Sequence, residues 1–266
     1  MEKKVLVTFS TLILICLYLP IVVLMIFSFN ASRINAEWSG FTLDWYKSLF
    51  DNPQVVDALF NSLFIAIVTT VLATVLGTIG ALALHRHKYR FKSLIDGLVY
   101  LPIIVPDILM GIALLILFTN LKMELGKWTI IIAHVTFCIS YVILLLTARL
   151  SGMGKELEEA ANDLGATPWK TFRFVTLPLI MPGIVASALL CFTLSIDDFV
   201  ISYFVSGPSS TTLPIYIYGM VKKGVSPEIN ALSTILIIVI VLLMLSSEIL
   251  RSKGIDKQGK KSSMPY

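Results

Sequence analysis

Charge is scarce in this sequence. Only 14% of its 266 residues are Asp, Glu, Lys or Arg, while 56% are apolar. A soluble globular domain carries about a quarter charged residues, so a freely soluble fold is excluded. Cysteine is scarce too. Cys16, Cys138 and Cys191 all fall inside apolar runs, so a disulfide framework or thiolate metal site is not indicated, and they read as small core residues. There are three histidines. His85 and His87 flank Arg86, where cationic anchoring is the ordinary role, and His134 stands alone in an apolar run, as a hydrogen-bonded helix contact would. No Gly-x-x-x-x-Gly-Lys-Ser/Thr phosphate loop occurs, and no Ser/His/Asp or carboxylate set is placed for catalysis. An enzyme, and ATP hydrolysis by this chain, are therefore not expected. No cofactor or metal set is visible either. Low-complexity segments and clear internal repeats are also absent.

Long hydrophobic runs are what the sequence has. Mean hydropathy is +0.86, and a bilayer core about 30 Å thick needs about 20 apolar residues in a helix. The runs predict an all-α polytopic membrane protein, one transmembrane domain over 1–266 with six spans near 5–29, 58–84, 94–119, 129–150, 179–204 and 231–250. The first run follows "MEKK" but is too long for a signal-peptide core, so it reads as a span. Cationic residues concentrate on the cytoplasmic side of membrane proteins. With the N-terminus inside, Lys3, Lys4, Arg86, Lys88, Arg90, Lys92, Arg149, Lys155, Lys170, Arg173 and the five of the tail face the cytoplasm. Only Arg33, Lys47, Lys122, Lys127, Lys222 and Lys223 face outward. Both termini are therefore expected to be cytoplasmic. The net charge of +4 fixes topology in this setting and implies no nucleic acid. The tail "RSKGIDKQGKKSSMPY" reads as disordered or as lying on the lipid surface.

The longest polar interruption, about 151–178, faces the cytoplasm in this topology. Within it Leu157, Ala160, Ala161 and Leu164 recur at helical spacing, with Glu156, Glu158, Glu159, Asn162 and Asp163 on the other faces. Gly165 fits a helix C-terminus, Thr167 a cap and Pro168 the first position of a second short helix carrying Trp169, Phe172 and Arg173. Pro178 is expected to end that helix before the fifth span. The spacing predicts a rigid helical hairpin with a shallow alanine stripe. Two readings stand on periodicity alone: the hairpin packs on its own helices, or it docks a partner.

"EAANDLG" followed by "VTLP" resembles the EAA–Gly–Leu-Pro signature of ABC importer permeases, carried by Glu159, Ala160, Ala161, Gly165, Leu177 and Pro178. The resemblance implies a type I importer permease fold in a bacterial inner membrane. It also implies a coupling helix seated in a cleft of a cytoplasmic ATPase, drawing on Glu158, Asp163, Leu164 and Ala166 as well. The implied partners are a homologous second permease, two ATPase subunits that bind ATP and Mg²⁺, and an extracytoplasmic substrate-binding protein. "SFNASRINAEWSGFTLDWYKSLF" and "TLSIDDFVISYFVSGPSSTTLPIYIYGMVKKGVSPEINALSTI" resemble the spermidine/putrescine permeases of that family, which implies polyamine import.

Ionisable groups inside spans are costly and face a bundle interior or an aqueous path. Asp107, after "LPIIVP", and adjacent Asp197 and Asp198 are of this kind. Pro102 and Pro106 predict a bend beside Asp107. Neighbouring helical residues point about 100° apart, so at most one of Asp197 and Asp198 is expected to point straight into a path, the other bonding to a neighbouring helix. Two readings remain for each carboxylate: passage of a cation, or hydrogen bonding that holds the bundle. Tyr203, Tyr216 and Tyr218 near the outer mouth read as interface anchors or as rings attracting ammonium groups. Thr212 and Pro214 open a short outer helix through Met220, and Ser226 and Pro227 a cap and first turn of the last span. The alternatives are a permease for another small solute and, from another class, an ion-driven secondary transporter.

Overall fold

The computed structural model describes residues 2–32, 37–86, 90–154, 156–224, 227–239 and 241–242. They form helices α1 (Glu2–Phe27), α2 (Asp44–Asp51), α3 (Pro53–Arg86), α4 (Lys92–Ile104), α5 (Asp107–Asn120), α6 (Lys127–Ser151), α7 (Glu156–Asp163), α8 (Pro168–Thr171), α9 (Leu177–Asp197), α10 (Val200–Val205) and α11 (Leu213–Lys223), followed by α12 (Pro227–Val239). Two compact units result, Met1–Pro53 with Ile217–Tyr266, and Gln54–Tyr216.

The expectation of six spans is corrected here. Among the described residues four helices are long and apolar enough to cross a membrane: Lys4–Phe27, Pro53–Arg86, Lys127–Ser151 and Pro168–Asp197. A fifth span arises only if α4 and α5 together make one crossing. These two were expected as a single span near 94–119. They meet at a 107° bend, because a residue before proline is driven extended and Val105 has ψ 130° ahead of Pro106. Of the expected last span, near 231–250, the described residues include α12, which alone is too short to cross. Residues 240 and 243–250 lie outside the described residues, as do the tail, Lys155, His87 and Ser226.

In the first unit, α1 is apolar on every side and none of its membrane-length segment is buried, the pattern of a helix that faces lipid. The chain after it is pinned by Asn30. Its Nδ2 donates to the Glu37 carbonyl at 2.7 Å, its Oδ1 accepts from Ser39 N–H at 2.9 Å, and its carbonyl accepts from Trp45 Nε1 at 2.8 Å.

In the second unit α6 is the central helix, with 61% of its membrane-length segment buried. It packs on α4 and α9, and α5 packs on α10. Cys138 and Cys191 are both fully buried, each thiol lying beside the other's backbone carbonyl at 3.9 and 3.7 Å. These two are the small core residues expected, whereas Cys16 is exposed on α1. Lipid tails are as apolar as leucine, so close packing rather than transfer from water holds such helices together. Gly111 shows the fit: a Cβ there would stand 2.7 Å from the Phe204 ring of α10.

The expected fifth span, 179–204, is also redrawn. It starts earlier, because α8 runs into α9 without a break. The join is a π turn, Phe172–Thr176, in which Leu177 N–H reaches back to the Phe172 carbonyl. Proline in an α-helix clashes with the carbonyl four residues back. The widened turn places Pro178 without ending the helix, contrary to the expected stop. At the other end α9 stops at Asp197, Asp198 is extended with ψ 122°, and α10 follows.

Candidate functional site

The first candidate is the hairpin. The α7 helix closes in a Schellman turn: Ala166 N–H donates to the Ala161 carbonyl at 3.0 Å and Gly165 N–H to the Asn162 carbonyl at 2.9 Å. Gly165 has φ +81°, the left-handed region that glycine enters without cost. Thr167 Oγ1 accepts from Lys170 N–H at 3.4 Å, and Pro168 follows in the first turn of α8. Thr171 Oγ1 donates to Asn162 Oδ1 at 3.0 Å and ties α8 to α7. These bonds set α7 against α8 across one tight turn.

Its large apolar residues are left largely exposed. Leu164 is 89% exposed, Trp169 70% and Leu157 57%. Glu159, Ala160, Asp163 and Gly165 are exposed beside them, and Ala161, Ala166 and Leu177 are partly covered. Glu158 differs. Its Oε1 accepts from Thr176 Oγ1 at 2.5 Å and from Arg86 Nη2 at 2.6 Å.

Burial raises the pKa of Glu158, but the Thr176 hydroxyl and the Arg86 guanidinium more than offset this and hold it below its ordinary value of 4.5. A carboxyl with a lowered folded pKa contributes stability that is complete above the ordinary value and lost as pH falls through the folded one. Resistance of the hairpin to limited proteolysis should therefore be constant from about pH 8 to 5 and decline in more acid solution. In Glu158→Gln it should be lower throughout and lack that decline. An identical pH profile for the two proteins would exclude Glu158 as the titrating group.

The second candidate is a cavity of about 290 Å³ lined by Asp107, Asp197 and Asp198, with Phe137, Tyr141 and Phe199 among its walls. Two helix breaks build it. Asp107 begins α5 beyond the bend, and Asp197 and Asp198 stand where α9 gives way to α10. None of the lining residues is Lys or Arg.

Both adjacent aspartates line the cavity, in different surroundings. Asp197 is exposed on the cavity wall. The side chain of Asp198 is 9% exposed. Its Oδ2 accepts from Ser202 N–H at 2.7 Å and lies 3.2 Å from His134 Nε2, while its Oδ1 accepts from Ile201 N–H at 3.4 Å. Asp198 thus caps the start of α10. His134 is fully buried, with Nδ1 2.7 Å from Ser195 Oγ and Nε2 3.0 Å from Ser202 Oγ. A neutral ring satisfies this network when Ser195 donates to Nδ1 and Nε2–H is shared by Asp198 and Ser202. His134 is the helix contact predicted for it.

Tyr203, Tyr216 and Tyr218 are not among the lining residues. Tyr203 packs against Phe199 and Phe204 with ring centroids at 5.5 and 5.9 Å. Lys222 Nζ lies 4.8 Å from the centroid of the Tyr218 ring. Tyr216 lies on α11, the outer helix foreseen from Thr212 and Pro214. The strand of chain before α11 is pinned within the second unit, with Asn61 Nδ2 donating to the Thr211 carbonyl at 3.0 Å and Leu213 N–H to Ser62 Oγ at 2.8 Å.

Residues 73–252 match the family described as "Binding-protein-dependent transport system inner membrane component". Among characterised proteins, the spermidine/putrescine transport system permease PotC of Escherichia coli strain K12 is 43% identical over 249 residues, covering 92% of this chain and 94% of its own. The putrescine transport system permease PotI of the same strain is 43% identical over 229 residues, covering 83% of this chain and 81% of its own. Among solved structures, a bacterial transporter importing the acidic polysaccharide alginate aligns with TM-score 0.73 at 16% identity, over 93% of this chain and 95% of that one. The MetNI methionine transporter aligns with TM-score 0.62 at 17% identity, over 74% of this chain and 94% of that one.

Proposed function

This chain belongs to the binding-protein-dependent transport inner membrane component family, and from that premise we propose that the ABC importer it serves carries polyamines such as spermidine or putrescine. The chain is a non-catalytic permease component in a membrane, forming the translocation path of such a system. The polyamine reading rests on the cavity. Three carboxylates and aromatic walls, with no cationic side chain among the lining residues, suit a flexible polycation with apolar stretches between its ammonium groups. The names of the relatives at 43% identity support the same reading. Structures of the same fold import alginate and methionine, so the fold alone does not choose a substrate.

In this reading the exposed face of the hairpin, from Leu157 to Trp169, docks into an ATPase subunit. The hairpin and the N-terminus face the cytoplasm of a bacterial inner membrane, where the positive charge is concentrated. A second, homologous permease completes the path, and an extracytoplasmic binding protein delivers the substrate. ATP and Mg²⁺ are bound by two ATPase subunits, and this chain holds no cofactor. Asp107 and Asp197 meet the passing ammonium groups. Asp198 chiefly holds the break between α9 and α10, which turns Asp197 toward the cavity.

The test is substitution within the assembled complex. Unit charges 4 Å apart attract by about 4 kcal/mol at an effective dielectric of 20. Asp197→Asn and Asp107→Asn should each raise the KM for polyamine uptake about tenfold or more, with assembly unchanged. Normal KM in the double variant would remove the cavity from the path.

A further inference from the structure

We propose that Arg86 is a positioning residue for transport, clamping the hairpin to the end of α3 so that a push on the hairpin moves α3 and α9 together. This rests on the docking reading of the hairpin given above. The observation behind it is a node in which three elements share one carboxylate oxygen. Glu158 Oε1, in the first turn of α7, receives Arg86 Nη2 from the end of α3 and Thr176 Oγ1 from the π turn that leads into α9. Arg86 Nη2 also lies 3.2 Å from Thr176 Oγ1 and donates to it, which closes a triangle.

The position matters more than the strength. An isolated, half-exposed ion pair contributes little to stability, and Arg86 and Glu158 are 36% and 30% exposed. Thr176, in contrast, is fully buried. The α7 helix has eight residues, too few to hold itself without tertiary contacts. Among the described residues, Asn162 joins it to α8, and Glu158 joins it to α3 and to the start of α9. The Asn162 link stays inside the hairpin. Among the described residues, the Glu158 node links the hairpin to the long helices through polar side chains. Glu158 and Glu159 are neighbours, one engaged with its own chain and the other exposed. The division assigns Glu159 to the docked face and Glu158 to transmission behind it.

The experiment uses the full complex with its ATPase subunits and second permease in proteoliposomes. Arg86→Glu and Glu158→Arg should each lower the substrate transported per ATP hydrolysed about tenfold, with the ATPase subunits still bound. The double exchange should restore most of the ratio, and Thr176→Val should give an intermediate loss. If a charge reversal prevents folding, Arg86→Gln with Thr176→Val carries the same test. An unchanged transport-to-hydrolysis ratio in the single variants would overturn the clamp, as would additive losses in the double exchange. Release of the ATPase by Arg86→Gln would also overturn it, in favour of a direct docking contact. Failure of the ATPase to bind even the unaltered chain would instead sink the docking reading itself.

Discussion

Replacing Gly165 with proline should abolish uptake while leaving the long helices inserted. Proline fixes φ near about −65°, and Gly165 sits at +81°. The substitution also removes the N–H that donates to the Asn162 carbonyl. The turn that sets α7 against α8 is lost, and the docked face is lost with it. Space is not the obstacle, since a Cβ at Gly165 would meet no heavy atom within 4 Å. Gly165→Asn should therefore keep much of the activity, because asparagine tolerates the left-handed region. Glu159→Lys is the complementary change. Glu159 is exposed, so reversing its charge costs the fold of the chain only about 1 kcal/mol through the helix N-terminus. If it also abolishes uptake and releases the ATPase on purification, the loss arises at the interface. Full uptake by both Gly165→Pro and Glu159→Lys would reduce the hairpin to a connector.

Asp198→Ala should lower the thermal stability of the assembled permease by about 5–10 °C. The substitution leaves buried His134 without its carboxylate and strips the cap from α10. Each buried donor left unmade costs about 1–3 kcal/mol, and a lost cap about 1 kcal/mol. In a chain of this size each kcal/mol shifts the midpoint by about 2–4 °C. Asp198→Asn should be far milder. With the Asn oxygen in the place of Oδ2, it still accepts from Ser202 N–H and from His134 Nε2–H, and only the long 3.4 Å bond from Ile201 N–H is given up. Its uptake should stay near normal while Asp197→Asn loses affinity. Unchanged melting for Asp198→Ala, or a KM for Asp198→Asn as poor as that of Asp197→Asn, would reverse the roles given to the two neighbours.

These residues also show which features the sequence makes legible. The hairpin is readable because its determinants are local: a periodic stripe, a glycine at the turn, and Thr-Pro at the restart. Glu158 and Arg86 are 72 positions apart, so nothing local separates Glu158 from Glu159. His134 and Asp198 are 64 apart, and nothing local tells His134 from a lone polar residue or Asp198 from its neighbour Asp197. The bend beside Asp107 is announced by Pro102 and Pro106, but its 107° angle is set by packing of α5 on α10, where Gly111 admits Phe204. Hydropathy is blind to such breaks. "LSIDDFVISYFV" is apolar enough to read as one continuous span, yet the Asp198 carboxylate turns back on the following N–H groups and ends α9. The same blindness made 94–119 read as one straight span, where α4 and α5 meet at a bend. Pro178 misleads in the opposite direction, because a π turn carries the helix through it.

The most direct measurement is uptake of radiolabelled spermidine and putrescine by proteoliposomes holding this chain with its second permease, ATPase subunits and binding protein. Uptake is predicted to require ATP, to ignore imposed ion gradients, and to be competed by unlabelled polyamines but not by methionine or acidic saccharide. Polyamine uptake driven by an ion gradient without ATP, or ATP-driven uptake of another solute with polyamines inert, would contradict it.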